Sequence, residues 1–167
     1  SPINNPQLSI VIPFFNEEES LTLLYDEIKE AIDSNFSYEI IFIDDGSTDK
    51  SNDGVKEIVS ADSRVTLISL KKNYGKSNAL NLAFKHSRGD IVVTMDADLQ
   101  DDPREIKNLI LKLNEGWDLV SGWKKKRNDP VSKIFPSKIF NVIVRWMSGL
   151  KIHDFNCGLK AYKAKVI

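Results

Sequence analysis

Two aspartates that follow an apolar run are the residues of this sequence best suited to chemistry. Asp96 and Asp98 come directly after the β-branched run at 91–94, and Gln100 stands two residues further on. The run predicts a strand buried on both faces, and ligands bind at the carboxyl ends of strands in open α/β sheets. Because Mg²⁺ is typically held by one or two carboxylates and by substrate phosphates, these residues predict a divalent metal joining the protein to a diphosphate. The alternative is a surface turn, where aspartate is common.

Polar side chains also end two other predicted strands. Asn16 and Glu17 follow the first strand, and Asp44 and Asp45 follow the second. Loops at the carboxyl ends of parallel strands gather on one edge of a sheet, so we expect these residues to lie near Asp96. A carboxylate in the second loop can accept hydrogen bonds from a ring N–H of a base or from ribose hydroxyls.

A different interpretation of the second loop is purely structural. Ser47 or Thr48 can act as the N-cap of the helix that follows, and this role is compatible with a nucleotide contact. Further along, Gly75 and Lys76 open another predicted helix and can meet a phosphate through backbone N–H groups and the ammonium. A helix-initiating turn with a solvated lysine is an equally good explanation of that pair.

Several common kinds of site are not supported by the sequence. A P-loop pattern is absent, and no Gly-x-Gly-x-x-Gly follows the first strand, which argues against a dinucleotide cofactor. The nucleophile elbow of serine hydrolases is absent as well. With only two histidines, a histidine-rich zinc site is not expected.

The elements that must position these residues alternate regularly between strand and helix. This alternation predicts βαβ units and a mostly parallel sheet. Pro13 is expected to end the first strand, and Gly116 the last helix. The predicted strands lie at 8–12, 38–43, 65–70, 91–94 and 118–122, and the predicted helices lie at about 20–32, 50–60, 75–86 and 102–115.

Length, composition and charge place further limits on the protein. A chain of 167 residues with 41% hydrophobic and 28% charged residues fits one globular domain. The single Cys157 excludes an intrachain disulfide and suits a reducing compartment. No apolar run approaches the length of a membrane span, and no signal peptide is visible.

The small net charge of −1 conceals two oppositely charged parts. Residues 1–122 contain 12 Lys and Arg against 22 Asp and Glu, a net charge of −10. Residues 123–167 contain 11 Lys and Arg against 2 Asp and Glu, a net charge of +9. The basic part suggests an acidic partner, namely a phosphate-bearing substrate, an anionic lipid surface or nucleic acid. The alternative is a basic surface without a particular partner.

Taken together, the motifs resemble those of family 2 glycosyltransferases with the GT-A fold. More narrowly they resemble polyprenyl-phosphate glycosyltransferases, such as dolichol-phosphate mannose synthases and bactoprenol-phosphate glucosyltransferases. The resemblance covers nearly the whole chain in order, and its joint occurrence is more specific than any single motif. The segments that carry it are VIPFFNE at 11–17, DDGSTD at 44–49, NYGK at 73–76, MDADLQDDP at 95–103, GWKKKRNDP at 122–130 and HDFNCGLKAY at 153–162.

This resemblance implies a GT-A-type, Rossmann-like sandwich with a central, mostly parallel sheet flanked by helices. Asp44 would contact the base. Asp96 and Asp98 would form the family's Asp-x-Asp motif and hold Mg²⁺ or Mn²⁺ with Gln100. The residues predicted to bind the nucleotide sugar are Pro13, Phe14, Asn16, Glu17, Asp44, Asp45, Gly75, Lys76, Asp96 and Ala97.

The same resemblance implies roles for residues in the basic part of the chain. Lys124 and Arg127 would hold the acceptor phosphate, although such enzymes often have arginine at the first position. An ammonium lacks the bidentate geometry of a guanidinium. Asp154 would stand near the reacting centre, so that Asp98 and Asp154 are the predicted catalytic residues. Asp154 would act as general base toward a hydroxyl acceptor, and its alternative is an ion pair with a nearby lysine.

The resulting functional hypothesis is an inverting sugar transfer from a nucleoside diphosphate sugar to a polyprenyl phosphate. A UDP-sugar is preferred and a GDP-sugar is the alternative donor. Residues 1–167 would form one catalytic domain, continuing beyond residue 167, with a nucleotide-sugar part at 1–122 and the start of an acceptor part at 123–167. We expect the full-length protein in the cytoplasm, at the inner face of the cell membrane. No nucleic-acid partner is expected, and the sequence does not decide between a monomer and a homo-oligomer. The rival functions are transfer to a saccharide hydroxyl and non-catalytic nucleotide binding.

Overall fold

Strands and helices alternate along the chain as the sequence predicts. The structure is a computed structural model, and it describes residues 5–122, 152–153 and 158–166. Two short 3₁₀ turns lie at Pro103–Glu105 and Ala164–Val166. The strands are β1 (Leu8–Phe14), β2 (Tyr38–Asp44), β3 (Val65–Ser69), β4 (Ile91–Thr94), β5 (Leu119–Ser121), β6 (Ile152–His153) and β7 (Lys160–Lys163). The α-helices are α1 (Leu21–Ile32), α2 (Ser51–Ala61), α3 (Lys76–His86) and α4 (Ile106–Asn114).

All of these strands belong to one mixed sheet with the order β3-β2-β1-β4-β7-β5-β6. The four strands from β3 to β4 are parallel to one another, which confirms the predicted parallel sheet. β7 lies between β4 and β5 and is antiparallel to both. The fifth predicted strand therefore does not pair with the fourth, because a later segment of the chain is inserted between them.

β1 and β2 form the centre of the core and are buried along their whole length. Successive side chains of a strand point to opposite faces of the sheet. One face packs against α1, α2 and α4, and the other packs against α3. The first face carries Ile10, Ile12, Ile40 and Phe42, and the second carries Val11, Ile41 and Ile43. Burial on both faces explains why these strands read as continuous apolar runs.

Pro13 lies inside β1, so the prediction that it ends the strand is wrong. The pairing of β1 with β4 stops at Val11, which lies opposite Thr94. The Met95 N–H then donates to the Val11 carbonyl at 3.0 Å, so Val11 and, two residues later, Pro13 turn their backbone groups toward the β4 side. Proline has no backbone N–H to donate. Because β4 has already ended at this level, the sheet loses no hydrogen bond at Pro13.

A hydrogen-bonded network braces the opposite, amino edge of the parallel strands. Arg64 donates from Nε and Nη2 to the two oxygens of Asp62, and Tyr25 donates to Asp62 at 2.7 Å. Nη1 of Arg64 and the hydroxyl of Tyr38 both donate to Asp33. Hydrogen bonds from Arg64 lower the pKa of Asp62 well below its usual range. Burial and the bond to Asp62 raise the pKa of Tyr25 to about 12.

None of the α-helices described between residues 5 and 122 is both long and apolar enough to cross a membrane.

Candidate functional site

Four loops meet at the carboxyl edge of the parallel strands. They are the segments 15–20, 45–50, 70–75 and 95–102, which follow β1, β2, β3 and β4 in turn. Because these strands are neighbours in the sheet, their loops are neighbours as well. The predicted convergence of the Asn16, Asp44 and Asp96 loops on one edge is therefore confirmed.

Asn16 ties the β1 loop to the β2 loop. It adopts a left-handed conformation with φ of 52°, which asparagine tolerates better than most residues. Its side-chain oxygen accepts hydrogen bonds from the backbone N–H groups of Thr48 at 2.8 Å and Asp49 at 3.3 Å. Its own N–H donates to the Ser47 hydroxyl at 2.9 Å. Asn16 thus holds the β2 loop with both its backbone and its side chain.

The helix-capping prediction for Ser47 or Thr48 is wrong. Helix α2 begins later, at Ser51, with Lys50 at the N-cap position and no side-chain cap. The Ser51 N–H instead donates to the Asp49 carboxylate at 2.9 Å. Ser47 and Thr48 are hydrogen-bonded to Asn16 in the β1 loop. They therefore connect two loops at the edge of the sheet and do not cap the helix.

Asp44 is buried at the end of β2 and is held on both oxygens. Oδ1 accepts from the Ser47 N–H at 2.7 Å, and Oδ2 accepts from the Asn52 amide at 2.7 Å. The same amide donates to Ser69 at the end of β3, again at 2.7 Å. A carboxylate has about four lone-pair sites, of which these donors use two, and Asp44 is only 3% exposed. Its orientation is fixed by these two donors.

Asp45 fixes the loop after β3. Its two oxygens accept from the backbone N–H groups of Tyr74 at 2.8 Å and Gly75 at 3.1 Å. Gly46 follows with φ of 80°, and a Cβ there would lie 2.6 Å from the Asn73 nitrogen. Only glycine permits this close approach of the two loops. Asp45 therefore positions Gly75, and its predicted contact with the nucleotide stays a prediction.

Lys76 connects the start of α3 to the end of β4. Its ammonium forms an ion pair with Oδ1 of Asp96. The Asp96 backbone N–H donates to the buried carboxylate of Asp101 at 3.2 Å. A Cβ at Gly158 would overlap Oδ2 of Asp96 and lie 2.9 Å from Oδ2 of Asp101. The Asp96 carboxylate is therefore enclosed by an ammonium on one side and by the Gly158 backbone on the other.

Ser20 links the β1 loop directly to the Asp-x-Asp segment. Its hydroxyl donates to the Ala97 carbonyl at 2.6 Å, and it also lies 3.2 Å from the Glu17 carboxylate. The Glu17 N–H donates to Ser51 at the start of α2, at 2.8 Å. Together with the contacts of Asn16, Asp45 and Lys76, the bond from Ser20 to Ala97 joins the four loops into a continuous chain of contacts. Sequence reasoning missed Ser20, because a serine before a helix reads as an N-cap.

Asp98 and Gln100 lie at the exposed tip of the β4 loop. The Gln100 N–H donates to Oδ1 of Asp98 at 3.2 Å. Between them Leu99 adopts φ of 63°, a strained conformation for a branched apolar residue and one that occurs at functional sites. Asp96 and Asp98 offer hard oxygen donors, as Mg²⁺ and Mn²⁺ prefer.

Metal ligation by protein side chains alone is not supported within the described residues. Over residues 5–122, 152–153 and 158–166, no three histidine, cysteine or acidic side chains are grouped so as to hold an ion. Two carboxylates with substrate phosphates are a common arrangement for Mg²⁺, and the donor set present here fits that arrangement. The predicted ligation by Asp96, Asp98 and Gln100 stays a prediction.

The aromatic residues of the edge differ in their exposure. The Phe14 ring is buried and packs edge-to-face with Phe42 at 6.3 Å between centroids. Phe15 and Tyr74, in contrast, are 43% and 49% exposed. The ring available to a nucleotide after β1 is therefore that of Phe15, which the sequence did not single out. Pocket-lining roles for Pro13 and Phe14 remain predictions.

Three predicted site residues lie outside the described residues. They are Lys124, Arg127 and Asp154, to which acceptor binding and catalysis were assigned. Residues 134–150, whose apolar residues with Lys138 and Arg145 indicate an amphipathic helix or two, lie there as well.

Comparison with known proteins gives a family and one group of relatives. A family model described as "Glycosyl transferase family 2" matches residues 9–167. A curated protein of Shewanella sediminis named "Undecaprenyl-phosphate 4-deoxy-4-formamido-L-arabinose transferase" is 42% identical over 162 residues. The match covers 96% of this chain and 49% of the relative, so the chain spans about half the relative's length.

Two solved structures resemble this fold over nearly the whole chain. One is a mannosyltransferase of Pyrobaculum calidifontis in complex with GDP-Man and Mn²⁺, with a TM-score of 0.67, 27% identity, and coverage of 98% of this chain and 46% of that one. The other is glucosyl-3-phosphoglycerate synthase of Mycobacterium tuberculosis in complex with Mn²⁺, UDP and glucosyl-3-phosphoglycerate. Its TM-score is 0.66 at 25% identity, with coverage of 96% and 57%.

Proposed function

The chain belongs to glycosyl transferase family 2, and we propose that its protein transfers a sugar from a nucleoside diphosphate sugar to a polyprenyl phosphate. Its fold is the GT-A fold that the sequence resemblance implied. The observation that carries the donor half of this proposal is the placement of Asp44 and Asp96 on one edge of the sheet, within four loops that are bonded to one another.

The donor would lie along this edge, from β2 to β4. Only β1 separates these strands, so β2 and β4 lie about 10 Å apart across the sheet. Asp44 would accept a hydrogen bond from the base, and Phe15 would contact the base or the ribose. The diphosphate would then reach Asp96, Lys76 and the N–H groups at the start of α3, where a helix N-terminus favours an anion.

A divalent cation, Mg²⁺ or Mn²⁺, would be shared between the Asp-x-Asp segment and the diphosphate. The two similar solved structures contain Mn²⁺, which supports this choice of cofactor. Asp96 and Asp98 would hold the ion, with Gln100 beside it. When bound, such an ion neutralises the charge that develops on the departing diphosphate. Ser20, through the Ala97 carbonyl, would keep the backbone between the two aspartates in place.

The acceptor is proposed from the relative, whose printed name specifies undecaprenyl phosphate. A phosphate oxygen is already anionic near neutral pH, so attack on the sugar requires little help from a general base. Lys124 and Arg127 would position that phosphate, and the net charge of +9 on residues 123–167 supports an anionic partner. With a lipid acceptor, we also propose that the full-length protein works at the inner face of the cell membrane.

The direct test is transfer by the full-length protein with a panel of donors and acceptors. UDP-glucose, UDP-4-deoxy-4-formamido-L-arabinose and GDP-mannose would each be incubated with undecaprenyl phosphate or with an oligosaccharide, in Mn²⁺ or in EDTA. We expect a lipid-linked product from one UDP-sugar, formed in Mn²⁺ and not in EDTA. Transfer to the oligosaccharide alone would replace the proposed acceptor, and nucleotide binding without any transfer would reject the enzymatic proposal.

A further inference from the structure

Lys76 holds the carboxylate that the metal is expected to need. Its ammonium is paired with Oδ1 of Asp96, and the Gly158 backbone closes off the side of Oδ2. Asp96 is one quarter exposed and Lys76 about half exposed, so the lysine lies on the open side of the pair. A cation that approaches Asp96 from solvent therefore meets another cation already in place.

We propose that Lys76 and the divalent metal compete for Asp96, and that the donor's diphosphate relieves this competition by taking over the ammonium. The inference rests on the proposed function and adds an order to it: metal and donor bind in a coupled way. Without donor, Lys76 neutralises Asp96. With donor, Lys76 moves to a phosphate oxygen and Asp96 becomes available to the metal.

The chemistry of the lysine suits such an exchange. Its ammonium is a compact charge on a flexible four-carbon stem, so it can change partners without movement of the backbone. Its backbone is fixed meanwhile, because Asp45 accepts from the preceding N–H groups of Tyr74 and Gly75. The N-terminus of α3, where Lys76 is the first residue, carries partial positive charge and favours a phosphate at the same place.

Two positive charges on one carboxylate repel each other, and this repulsion gives the inference its measurable consequence. Removing the ammonium should strengthen metal binding when no nucleotide is present. It should also weaken the help that nucleotide gives to the metal, because no competing ammonium is then left for the diphosphate to take over. If Lys76 were only a phosphate contact, its removal would leave metal binding without nucleotide unchanged.

The experiment is a titration of the full-length protein with Mn²⁺, followed by the EPR signal of free Mn²⁺, with and without saturating UDP. For Lys76→Gln we expect nucleotide-free Mn²⁺ affinity to rise by about fivefold or more, and the enhancement by UDP to fall by a similar factor. Lys76→Arg, which keeps the charge, should behave like the wild type. Lys85→Gln removes the same charge near the other end of α3 and serves as the matched control, with unchanged Mn²⁺ affinity.

The possible results distinguish a failure of the inference alone from a failure of both proposals. Unchanged nucleotide-free Mn²⁺ affinity in a folded Lys76→Gln protein overturns the competition while leaving the metal-dependent transfer intact. An equal rise in Lys85→Gln also overturns it, because the effect would then be general electrostatics. Absence of Mn²⁺ binding by the wild type even with UDP would reject the metal site itself, and with it both proposals.

Discussion

At the scale of single residues, the site edge depends on close contacts that tolerate no added atoms. Gly158 stands against the carboxylates of Asp96 and Asp101, with no space for a Cβ. Gly54, in α2, shows the opposite situation, because nothing lies within 4 Å of a Cβ built there. The two glycines make a matched pair for testing whether the position of the Asp96 carboxylate matters.

We predict that Gly158→Ala displaces the Asp96 carboxylate, because the added Cβ would overlap its Oδ2. Mn²⁺ affinity in the presence of UDP should then fall by about tenfold, which corresponds to about 1.4 kcal/mol. The measurement is an Mn²⁺ titration of the full-length variant. Gly54→Ala should leave Mn²⁺ affinity unchanged and stabilise the fold by about 0.5–1 kcal/mol, because alanine is favoured over glycine within a helix. Wild-type Mn²⁺ affinity in Gly158→Ala would show that the contact is not important for the site.

The residue types of the site could be predicted from the sequence, but the contacts that each residue makes could not. Asp44 and Asp45 are adjacent and chemically identical, yet one is held by the α2 side and the other holds the loop before α3. Which neighbour each carboxylate meets depends on strand alternation and on the β3 loop, 30 residues away. For the same reason no local pattern indicated Phe15 in place of Phe14 as the exposed ring.

At the scale of elements, Ser20 connects the start of α1 with the loop after β4. This bond of 2.6 Å spans 77 residues of sequence and joins the loop after β1 to the loop after β4. Ser60 makes a comparable hydroxyl–carbonyl bond of 2.7 Å within α2, on an exposed surface. Both bonds can be removed by the same substitution, and only one of them touches the site.

We predict that Ser20→Ala leaves the buried Ala97 carbonyl without its donor and costs about 1–3 kcal/mol of unfolding free energy. Amide hydrogen exchange should quicken in segment 95–102, and the KM for the donor sugar should rise, whereas Ser20→Thr should retain both properties. Ser60→Ala should change neither the exchange of that segment nor the KM. If Ser20→Ala and Ser60→Ala behave alike, Ser20 has no special part in positioning the Asp-x-Asp segment.

Strands and helices were the part of the structure that the sequence predicted well. Apolar runs bounded by turn residues locate β1 to β4 within a residue or two. β1, β2 and β4 are mostly buried, and strands covered on both faces have little sequence ambiguity. The errors arise where tertiary contacts override local rules: Pro13 sits in β1 because β4 has already ended, and α2 starts after Ser47 because that serine serves the β1 loop. The insertion of β7 beside β4 likewise has no local signal.

At the scale of the whole molecule, stability and function are assigned to opposite edges of the same sheet. The amino edge contains the network around Asp62, in which Arg64 and Tyr25 donate to one carboxylate. The carboxyl edge contains the loops of the proposed donor site. Substitutions at the first edge should therefore change the free energy of unfolding without changing ligand affinity.

We predict that Asp62→Asn destabilises the fold by about 1–3 kcal/mol near pH 7 and leaves UDP affinity unchanged. The folded-state pKa of Asp62 lies below its value of about 3.9 in the unfolded chain, so the unfolded chain takes up the proton first as pH falls. The stabilisation is thus fully present above about pH 5 and is lost as pH falls further toward the folded-state pKa. Urea unfolding of wild type and variant should give a difference that shrinks below about pH 5.

The exposed Asp53 in α2 provides the control for this comparison, with only a 3.9 Å ion pair to Lys56. Asp53→Asn should change the free energy of unfolding little at any pH, because exposed ion pairs contribute little. A difference between wild type and Asp62→Asn that stays constant down to pH 2 would contradict the assigned pKa of Asp62.

The most direct test of a donor and metal site at this edge of the sheet is the rate of sugar transfer to undecaprenyl phosphate by full-length Asp98→Ala in saturating Mn²⁺. Asp98 lies at the exposed tip of the β4 loop, so the substitution leaves the core intact. We predict a fall of at least about 100-fold relative to wild type, the scale expected when electrostatic stabilisation of a leaving group is lost. Transfer by Asp98→Ala at the wild-type rate would contradict the assignment of donor and metal to this edge of the sheet.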